Sequence, residues 1–538
     1  MKRQRGESPS ASKARPPSPR GGSAMRDRGP AAKGDAIIDS PAGTPINQLA
    51  DSSAQVADAD IEANVMHGAK WMAASQVATQ VTRFATNIVL ARLLLPSDFG
   101  LIAVATVVML FLEQIRDLGT GTTVIQRKEV SAKLLNTVFY LNTTIGITLA
   151  LVVYLLAPRL AGALGNPEAT HILQAFGGLT LLTSFGHIQH ALLRRRMMFQ
   201  QVGVITTVSA FVTAIVSIGL AAAGAGVWSI VIGMAAANVL GVVMTWVYSG
   251  WRPGLSVSAS DFSSVWSFAG YLLLTNIVVF LLQQSDKVIV NRTLGVTALG
   301  VYALAQRVLL YPMQSVTVVL TEVLFPAFSR KQDDNAALRR AYVRSNSVIG
   351  LITFPLMAGA ASVAPIMVRV LLGDKWHDLV PLMIILAPAG AIQAVSSNAS
   401  SLLLAKGHSR ANFGWSVILG TVILAGFGVG VRWGLVGMCL TYAALLIALT
   451  PLMWHVAFRY IDLRIRDYVR ALLPVTWMTL LMSAVVVAAG ALLRGTMPDL
   501  LTFLVQIAIG AAVYIGLLLQ FRPPAFLDAV RSLRNRPT

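Results

Sequence analysis

The sequence contains an internal repeat. Residues 90–105 (LARLLLPSDFGLIAVA) return as residues 290–305 (VNRTLGVTALGVYALA), 200 positions later and without a gap, and five of the sixteen positions are identical. Shared apolar composition alone would give roughly one or two identities, so the similarity indicates a true repeat. Each copy places an Arg and a short polar or Gly-containing turn between two long apolar runs. This pattern predicts a helical hairpin in a membrane, present twice in the chain.

Composition supports a membrane protein. The chain of 538 residues is 55% hydrophobic and 12% charged, and a soluble domain would carry about twice that charged fraction. The single cysteine, Cys439, lies in an apolar run, which excludes a disulfide framework and a thiolate metal site. The net charge of +19 would suggest nucleic acid in a soluble protein. Here retention of Lys and Arg in cytoplasmic loops explains it, and we expect no nucleic-acid partner.

Successive apolar runs predict an all-α polytopic membrane protein with about 14 transmembrane helices. From Gly68 onward, runs long enough to cross a bilayer follow one another. The predicted spans are 69–94, 98–118, 134–157, 169–192, 203–224, 227–249, 264–291, 298–325, 341–364, 377–404, 411–431, 433–457, 468–493 and 499–521.

The spacing of the repeat predicts two lobes. The offset spans six helices, an even number, so helices 1 to 6 and 7 to 12 share one orientation. Two such lobes are expected to be related by an axis along the membrane normal, around a central cavity. The predicted domains are a disordered basic tail (1–66), a six-helix lobe (67–250), a linker (251–262), a second six-helix lobe (263–458), two additional transmembrane helices (459–521) and a cytoplasmic tail (522–538).

The distribution of Lys and Arg predicts the orientation. With the N-terminus in the cytoplasm, nineteen of these residues fall on the cytoplasmic side of the predicted helices and seven on the other. Cytoplasmic loops carry the excess of positive charge in membrane proteins. We therefore expect both termini in the cytoplasm.

Helix 1 carries a polar stripe. The stripe consists of Gln76, Gln80, Arg83 and Asn87, at steps of four, three and four, so these residues share one helical face. Arg83 lies near the middle of the span, where facing lipid would cost several kcal/mol. We expect it to face protein or a water-filled cavity.

Helix 7 carries the equivalent stripe. Asn276, Gln283 and Lys287 occupy the positions that correspond to Gln76, Arg83 and Asn87. Such amides could instead only bond neighbouring helices. Because the stripe and its cation recur in both copies, we favour a cavity-lining surface.

Helix 8 supplies further candidates. Arg307, Gln314 and Glu322 lie on roughly one face, together with Tyr311. Asp286 and Arg307 are at similar distances from the turn between helices 7 and 8, so we expect an ion pair. The pair would be a structural salt bridge or a coupling site, where protonation of Asp286 releases Arg307.

Other charged residues favour ordinary structural roles. Glu113, Arg116 and Asp117 have the spacing of a local ion-pair cluster at the end of helix 2. His187 and His190 are three residues apart but lack a third ligand, so we predict no metal site. The sequence has no phosphate-binding glycine loop, nucleophile elbow or HExxH motif, and predicts neither an enzyme nor a cofactor.

Several motifs in order resemble a known family. They are GAKW (68–71), LARLLLPSDFG (90–100), DLGTGTTVIQRKE (117–129), LLRRRMMF (192–199), DKVIVNRTLG (286–295), FPAFSRKQDD (325–334) and LLGDKW (371–376). In combination, over about residues 68–500, they resemble the polysaccharide transporter (Wzx-type flippase) branch of the multidrug/oligosaccharidyl-lipid/polysaccharide exporter superfamily. The long N-terminal tail and the fourteen helices depart from relatives drawn with twelve.

The resemblance implies a function. Members of the family move undecaprenyl-pyrophosphate-linked oligosaccharides to the periplasmic leaflet of the bacterial inner membrane, through two lobes that alternate around a cationic cavity. Partners implied are this lipid-linked glycan and the bilayer, with a polysaccharide polymerase and chain-length proteins as further candidates. Arg83, Lys287 and Arg307 suit a pyrophosphate chemically.

The sequence disfavours two other classes of function. A multidrug or cation antiporter of the same superfamily would require an acidic cavity, whereas the stripes here are net cationic. A membrane-embedded glycosyltransferase or polymerase would carry acidic motifs on sizeable external loops, and the external loops here are short. A pure scaffold would leave the Arg in mid-membrane unexplained.

Overall fold

The computed structural model describes residues 71–72, 74–117, 120–126, 130–330 and 334–527, with the side chains of 122–123, 126, 259–275, 311–327 and 329–330 excepted. The predicted N-terminal tail, 1–66, therefore lies outside the described residues. Within the described part the chain is helical, without strands. Among the described residues, ten helical segments are long and apolar enough to cross a membrane, and some of them contain two successive spans.

The fourteen predicted transmembrane helices are confirmed. We number them α1 to α14. The first half of the chain contains α1 (74–93), α2 (Pro96–Asp117), α3 (Ala132–Ala163), α4 (Thr170–Ser184, continued by His187–Arg195), α5 (Phe199–Ala222) and α6 (Trp228–Ser249). A short helix, Thr120–Gln126, lies between α2 and α3.

The second half begins with one helical stretch, Ala259–Arg330, interrupted at Gly295. We call its two parts α7 (259–294) and α8 (296–330). The remaining helices are α9 (Asn335–Met367), α10 (Leu379–Ser396, continued by Asn398–Ala405), α11 (Ser409–Gly430), α12 (Gly434–Phe458), α13 (Ile465–Leu492) and α14 (Asp499–Phe521).

The repeat is visible in helix packing. In the first half α3 packs on α4, α5 on α6 and α4 on α6; in the second half α9 packs on α10, α11 on α12 and α10 on α12. These are the same pairings six helices apart. Helices α13 and α14 pack on each other and on α9, and α2 contacts the α7 and α8 stretch of the other half.

The two copies of the hairpin turn use different residues for the same reversal. In the second copy Gly295 has φ of 88°, which favours a residue without a Cβ. In the first copy Pro96 begins α2, where its missing N–H costs nothing. The Asp98 carboxylate accepts a hydrogen bond from the backbone N–H of Leu95 at 2.9 Å. A Gly in one copy and a Pro with a capping Asp in the other therefore produce equivalent turns.

The connection between the halves is fixed to α3. The side-chain oxygen of Asn136 accepts a hydrogen bond from the backbone N–H of Gly254 at 2.9 Å, and its side-chain nitrogen donates to the Ser256 carbonyl at 3.1 Å. The backbone N–H of Ser258 donates to the Thr137 hydroxyl at 2.9 Å. The polar connection predicted from the sequence thus runs along the start of α3 and is hydrogen-bonded to it.

Candidate functional site

The two copies of the repeated hairpin meet each other at one end of the molecule. A methyl group on Gly100 would overlap the carbonyl oxygen of Val296, and one on Gly300 would overlap that of Pro96. Gly100 and Gly300 are equivalent in the repeat, as are Pro96 and Val296. The contact is therefore reciprocal, as a two-fold axis between the halves requires.

Burial shows that the halves enclose one another at this end. Residues 99–105 of α2 and 299–305 of α8 are buried without interruption, so every face of these two turns is covered. A helix with one lipid-facing side would show exposed positions every third or fourth residue. Partial exposure returns from Thr106 in α2 and at Gln306 and Arg307 in α8, where residues 308–310 are buried again. We call the fully enclosed end the closed end.

Polar side chains from the second half cap the C-terminus of α1 at the closed end. The Trp376 indole N–H donates to the carbonyl of Ala91 at 2.8 Å. The Lys375 ammonium donates to the carbonyls of Arg92 at 2.8 Å and Leu94 at 2.7 Å. The last carbonyls of a helix lack partners within it. The loop 373–376 supplies them, and burial lowers the pKa of Lys375 while the charge of Asp98 opposes that shift.

A side chain of the first half in turn caps a helix end of the second half. The Arg92 guanidinium donates to the carbonyl of Leu371 at 2.9 Å and also to that of Val370, at the end of the α9 segment. Trp376 is fully buried and packs edge-on against Phe99, with ring centroids 5.3 Å apart. Residues of the two halves therefore satisfy one another's helix ends.

The equivalent contact exists on the other side of the axis. The Asn291 side-chain nitrogen donates to the carbonyl of Leu164, which ends α3, at 2.7 Å. The Asn166 amide donates to the Asn291 side-chain oxygen at 2.7 Å. In both pairs the end of a hairpin helix, α1 or α7, meets the end of α9 or α3 from the opposite half. Sequence patterns did not identify these residues, although the LLGDKW motif was an available signal.

The candidate cations lie beyond the closed end. By helical rise, Arg83, Lys287 and Arg307 are roughly 12 to 18 Å from the turns of their hairpins. Arg83 is exposed, and Lys287 and Arg307 are partly exposed. All three therefore lie at about the depth at which partial exposure returns along α2 and α8.

Helix α1 presents three different faces. One face is buried, with Thr79 and Thr86, and the Thr79 hydroxyl lies 3.4 Å from that of Thr207 on α5. A second face exposes apolar side chains such as Val77 and Val81, at 64% and 63%. At about 100° per residue, the stripe of Gln76, Gln80, Arg83 and Asn87 forms a third face, between the buried face and this apolar face and roughly 110° from the centre of the latter.

Helix α7 has the same arrangement. Leu281 and Val288 are exposed at 55% and 41%. The predicted stripe lies about a third of a turn from these apolar side chains, and its members Asn276 and Lys287 are partly exposed and Gln283 is exposed. Two of the polar side chains also bond within their own helix. The Lys287 ammonium donates to the Gln284 side chain at 2.6 Å, and the Asn87 amide donates to the Arg83 carbonyl at 2.9 Å.

Asp286 bonds two neutral side chains of α8. Its carboxylate is 6% exposed and accepts hydrogen bonds from the Tyr302 hydroxyl at 2.8 Å and the Gln306 amide at 3.1 Å. Arg307 follows Gln306, and one residue turns a helix by about 100°. Gln306 is thus a residue of α8 that bonds Asp286, and the ion pair of Asp286 with Arg307 stays a prediction. Gln314 and Glu322 lie in 311–327, outside the described side chains.

The halves also touch away from the closed end. The rings of Phe111 on α2 and Phe280 on α7 have centroids 5.6 Å apart. By helical rise this contact is over 20 Å from the hairpin turns. The seam between α2 and α7 is thus occupied by aromatic side chains well beyond the enclosed region.

The charged residues at the end of α2 make contacts with α4. The His187 Nε2 lies 3.2 Å from an oxygen of Asp117. Buried Arg116 donates to the Thr180 carbonyl at 3.2 Å and also to the Thr183 hydroxyl. These contacts tie α2 to α4 within one half, away from the stripes of α1 and α7.

Comparisons with known proteins agree with the motif resemblance. The chain is 28% identical over 443 residues to the lipopolysaccharide biosynthesis protein WzxC of Escherichia coli (strain K12), covering 80% of this chain and 88% of that protein. It is 28% identical over 348 residues to the succinoglycan biosynthesis transport protein ExoT of Rhizobium meliloti (strain 1021), covering 65% and 70%.

Solved structures with this fold are transporters. The lipid II flippase MurJ in an inward closed conformation has a TM-score of 0.69 at 15% identity, over 84% of this chain and 98% of that one. An inward-facing multidrug resistance MATE family transporter of the MOP superfamily has a TM-score of 0.59 at 14% identity, over 71% and 94%. The family model described as polysaccharide biosynthesis protein matches residues 89–381, more than half of the chain, and the protein belongs to that family.

Proposed function

We propose that this protein is a flippase that moves undecaprenyl-pyrophosphate-linked oligosaccharide units across the bacterial inner membrane for exopolysaccharide, capsule or O-antigen assembly. The observation that carries the proposal is the pair of cation-bearing polar stripes, one in each half, on a face of α1 and of α7 that is distinct from their exposed apolar faces. If the apolar faces meet lipid, the stripes face the space between the halves. That space is the proposed substrate cavity.

The chemistry of the stripes suits a pyrophosphate. A diphosphate that leaves water needs fixed positive charge and hydrogen-bond donors, which guanidinium, ammonium and amide groups supply. Arg83, Lys287 and Arg307 are the proposed charge donors. Gln76, Gln80, Asn276 and Gln283 extend away from the closed end and would meet the sugar hydroxyls. Gln314 belongs to the same proposed lining by its position in the sequence.

The reciprocal contacts of the closed end form one gate of an alternating-access cycle in this proposal. The Lys and Arg distribution places both termini in the cytoplasm, and the hairpin turns then face the periplasm. The described conformation would accordingly be closed to the periplasm. Release of the glycan requires that Gly100 and Gly300 separate and that the helix caps of Arg92, Lys375 and Asn291 break.

Asp286 is the proposed coupling residue. It is a buried carboxylate whose described side-chain partners, Tyr302 and Gln306, are neutral. Burying a carboxylate without a compensating cation is costly. Binding of a proton or a cation at Asp286 would change its bonds to α8, which also carries Arg307. Ion binding at Asp286 would therefore be linked to the proposed charge donors Arg83, Lys287 and Arg307.

The names of the relatives support the substrate class. WzxC and ExoT are named for lipopolysaccharide biosynthesis and succinoglycan transport, and MurJ for flipping lipid II. Multidrug transporters share the fold as well, and an antiporter of cationic drugs is the second candidate. The cationic stripes favour an anionic substrate over that alternative. A polysaccharide polymerase and chain-length proteins remain predicted partners.

The proposal is tested by transport in proteoliposomes. The full chain is reconstituted with an undecaprenyl-pyrophosphate-linked oligosaccharide, and a membrane-impermeant glycosidase outside the vesicles reports glycan that reaches the outer leaflet. We expect protein-dependent exposure that the double variant Arg83→Ala/Lys287→Ala slows at least tenfold. Arg432→Ala, an exposed arginine outside the stripes, is the matched control. Exposure at the rate of protein-free vesicles, with efflux of a cationic dye instead, would favour the antiporter.

A further inference from the structure

A second basic site lies outside the space between the halves. A cavity of about 1390 Å³ is enclosed by the start of α9, the start of α13 and residues Pro524 and Ala525 after α14. Five arginines and two aspartates line it, so its lining is net positive. The aspartates are Asp462 and Asp467. None of the residues in the stripes of α1 and α7 belongs to this lining.

The charged part of the cavity is not neutralised within the protein. Arg340, Arg464 and Arg470 are exposed. In the described part of the chain, none of their guanidinium groups lies within ion-pair distance of a carboxylate. Asp462 is partly engaged elsewhere, because its side chain accepts a hydrogen bond from Asn335 at 3.1 Å and its carbonyl accepts one from Arg339 at 3.1 Å. The cavity therefore offers several arginines to an anion.

The other part of the cavity is apolar. Val348, Ala471 and Pro474 line it one or two turns further along α9 and α13, where the apolar runs of both helices begin. Leu473, next to Pro474, is 56% exposed, and Leu519 near the end of α14 is 57% exposed. A free anion would need only the arginines. A lining that combines several arginines with aliphatic side chains matches a lipid, with a charged head and apolar chains.

We propose that this cavity binds the headgroup of an anionic phospholipid, with Arg340, Arg464 and Arg470 around the phosphate and the acyl chains along the apolar surface beside Leu473. Basic pockets between transmembrane helices are suited to such headgroups. Because α13 and α14 pack on α9, the lipid would bridge the two additional helices to the second half. This inference does not depend on the identity of the transported glycan.

The test is a binding measurement on the full-length protein in a neutral detergent. The probe is radiolabelled phosphatidylglycerol, with phosphatidylcholine as the zwitterionic reference. We expect saturable binding of phosphatidylglycerol only. Each arginine removed is expected to weaken binding about five-fold, and the triple variant Arg340→Gln/Arg464→Gln/Arg470→Gln on the order of a hundredfold.

Two control variants and a folding check test whether a loss of lipid binding is specific to the charge of the three arginines. Arg466→Gln lies on the same first turns of α13 but outside the cavity lining, and should change affinity less than two-fold. The triple Lys variant retains the charge and should bind within a few-fold of the natural chain, and size-exclusion chromatography checks folding of every variant. A triple Gln variant that binds like Arg466→Gln, or a triple Lys variant that loses binding equally, overturns the proposal. Inorganic phosphate or pyrophosphate that displaces the lipid at equal concentration would mean a soluble-anion site and would overturn it as well.

Discussion

Gly100 and Gly300 pack backbone against backbone across the interface between the two halves of the chain. They are the same position in the two copies of the repeat, so each copy contacts the other through the residue that both retain. No side chain fits in this contact, because a methyl group on either glycine would overlap a carbonyl oxygen of the facing hairpin. The two copies of the repeat therefore form the contact at which the two halves of the chain meet.

Gly100→Ala and Gly300→Ala are expected to separate the closed end. Overlap with a backbone oxygen can be relieved only by moving a helix, which typically costs about 1–3 kcal/mol. Thermal unfolding of the purified protein should show the loss, and glycan export should fall. Gly178→Ala on α4 is the control, because nothing lies within 4 Å of its added methyl group. Two Ala variants as stable and active as the control would mean that the halves do not meet here.

Removing the caps of α1 should open the closed end without disturbing the stripes. Lys375→Met and Trp376→Phe each remove donors to the last carbonyls of α1 and keep most of the side-chain volume. Each lost bond is worth about 1 kcal/mol. A cysteine at position 83 should then react with a charged thiol reagent from the side of the hairpin turns. Reaction that stays confined to the opposite side in both variants would argue against a gate.

Thiol labelling tests the proposed cavity. Cysteines at positions 76, 83, 276 and 287 should react with a small charged reagent in intact membranes, since these positions lie on the polar stripes. Val81→Cys and Val288→Cys lie on the exposed apolar faces of the same two helices and should react slowly. The single natural cysteine, Cys439, is buried and gives little background. Equal rates on both faces would show that the stripes do not line a separate aqueous space.

Arg83→Ala should reduce export far more than Arg83→Lys. A pyrophosphate mainly needs positive charge at this depth, and Lys retains it although it loses the bidentate geometry of the guanidinium group. The readout is accumulation of the lipid-linked unit in the cytoplasmic leaflet. If both variants export like the natural chain, Arg83 has a structural role only.

Asp286→Asn should uncouple transport from its ion gradient. The amide keeps the shape of the carboxylate and can still bond Tyr302 and Gln306, but it binds no proton or cation. Export by Asp286→Asn should therefore no longer respond when the proton or sodium gradient is collapsed. Tyr302→Phe removes one donor at 2.8 Å and should shift the ion dependence without abolishing it. An unchanged response in Asp286→Asn would place coupling elsewhere.

The sequence by itself determined the number and limits of the helices. Apolar length and turn residues are local properties, so the runs from 69–94 to 499–521 could be recognised one at a time, and only details such as the break of α4 at Gly186 were missed. The offset of the repeat also predicted the shared packing order of the two halves. The limits of the lobes and the orientation in the membrane stay predictions.

Tertiary structure alone decided which side chains meet. A periodic pattern assigns residues to faces of their own helix, but it leaves the rotation of one helix against another open, and one residue of rotation moves a side chain by about 100°. For that reason the sequence did not predict that Gln306, one residue before Arg307, bonds Asp286. The caps of Lys375 and Trp376 on α1 join residues more than 280 positions apart, and the cavity of Arg340 and Arg470 joins α9 to α13. Contacts at such separations depend on how the packed helices close on one another, which local periodicity does not specify.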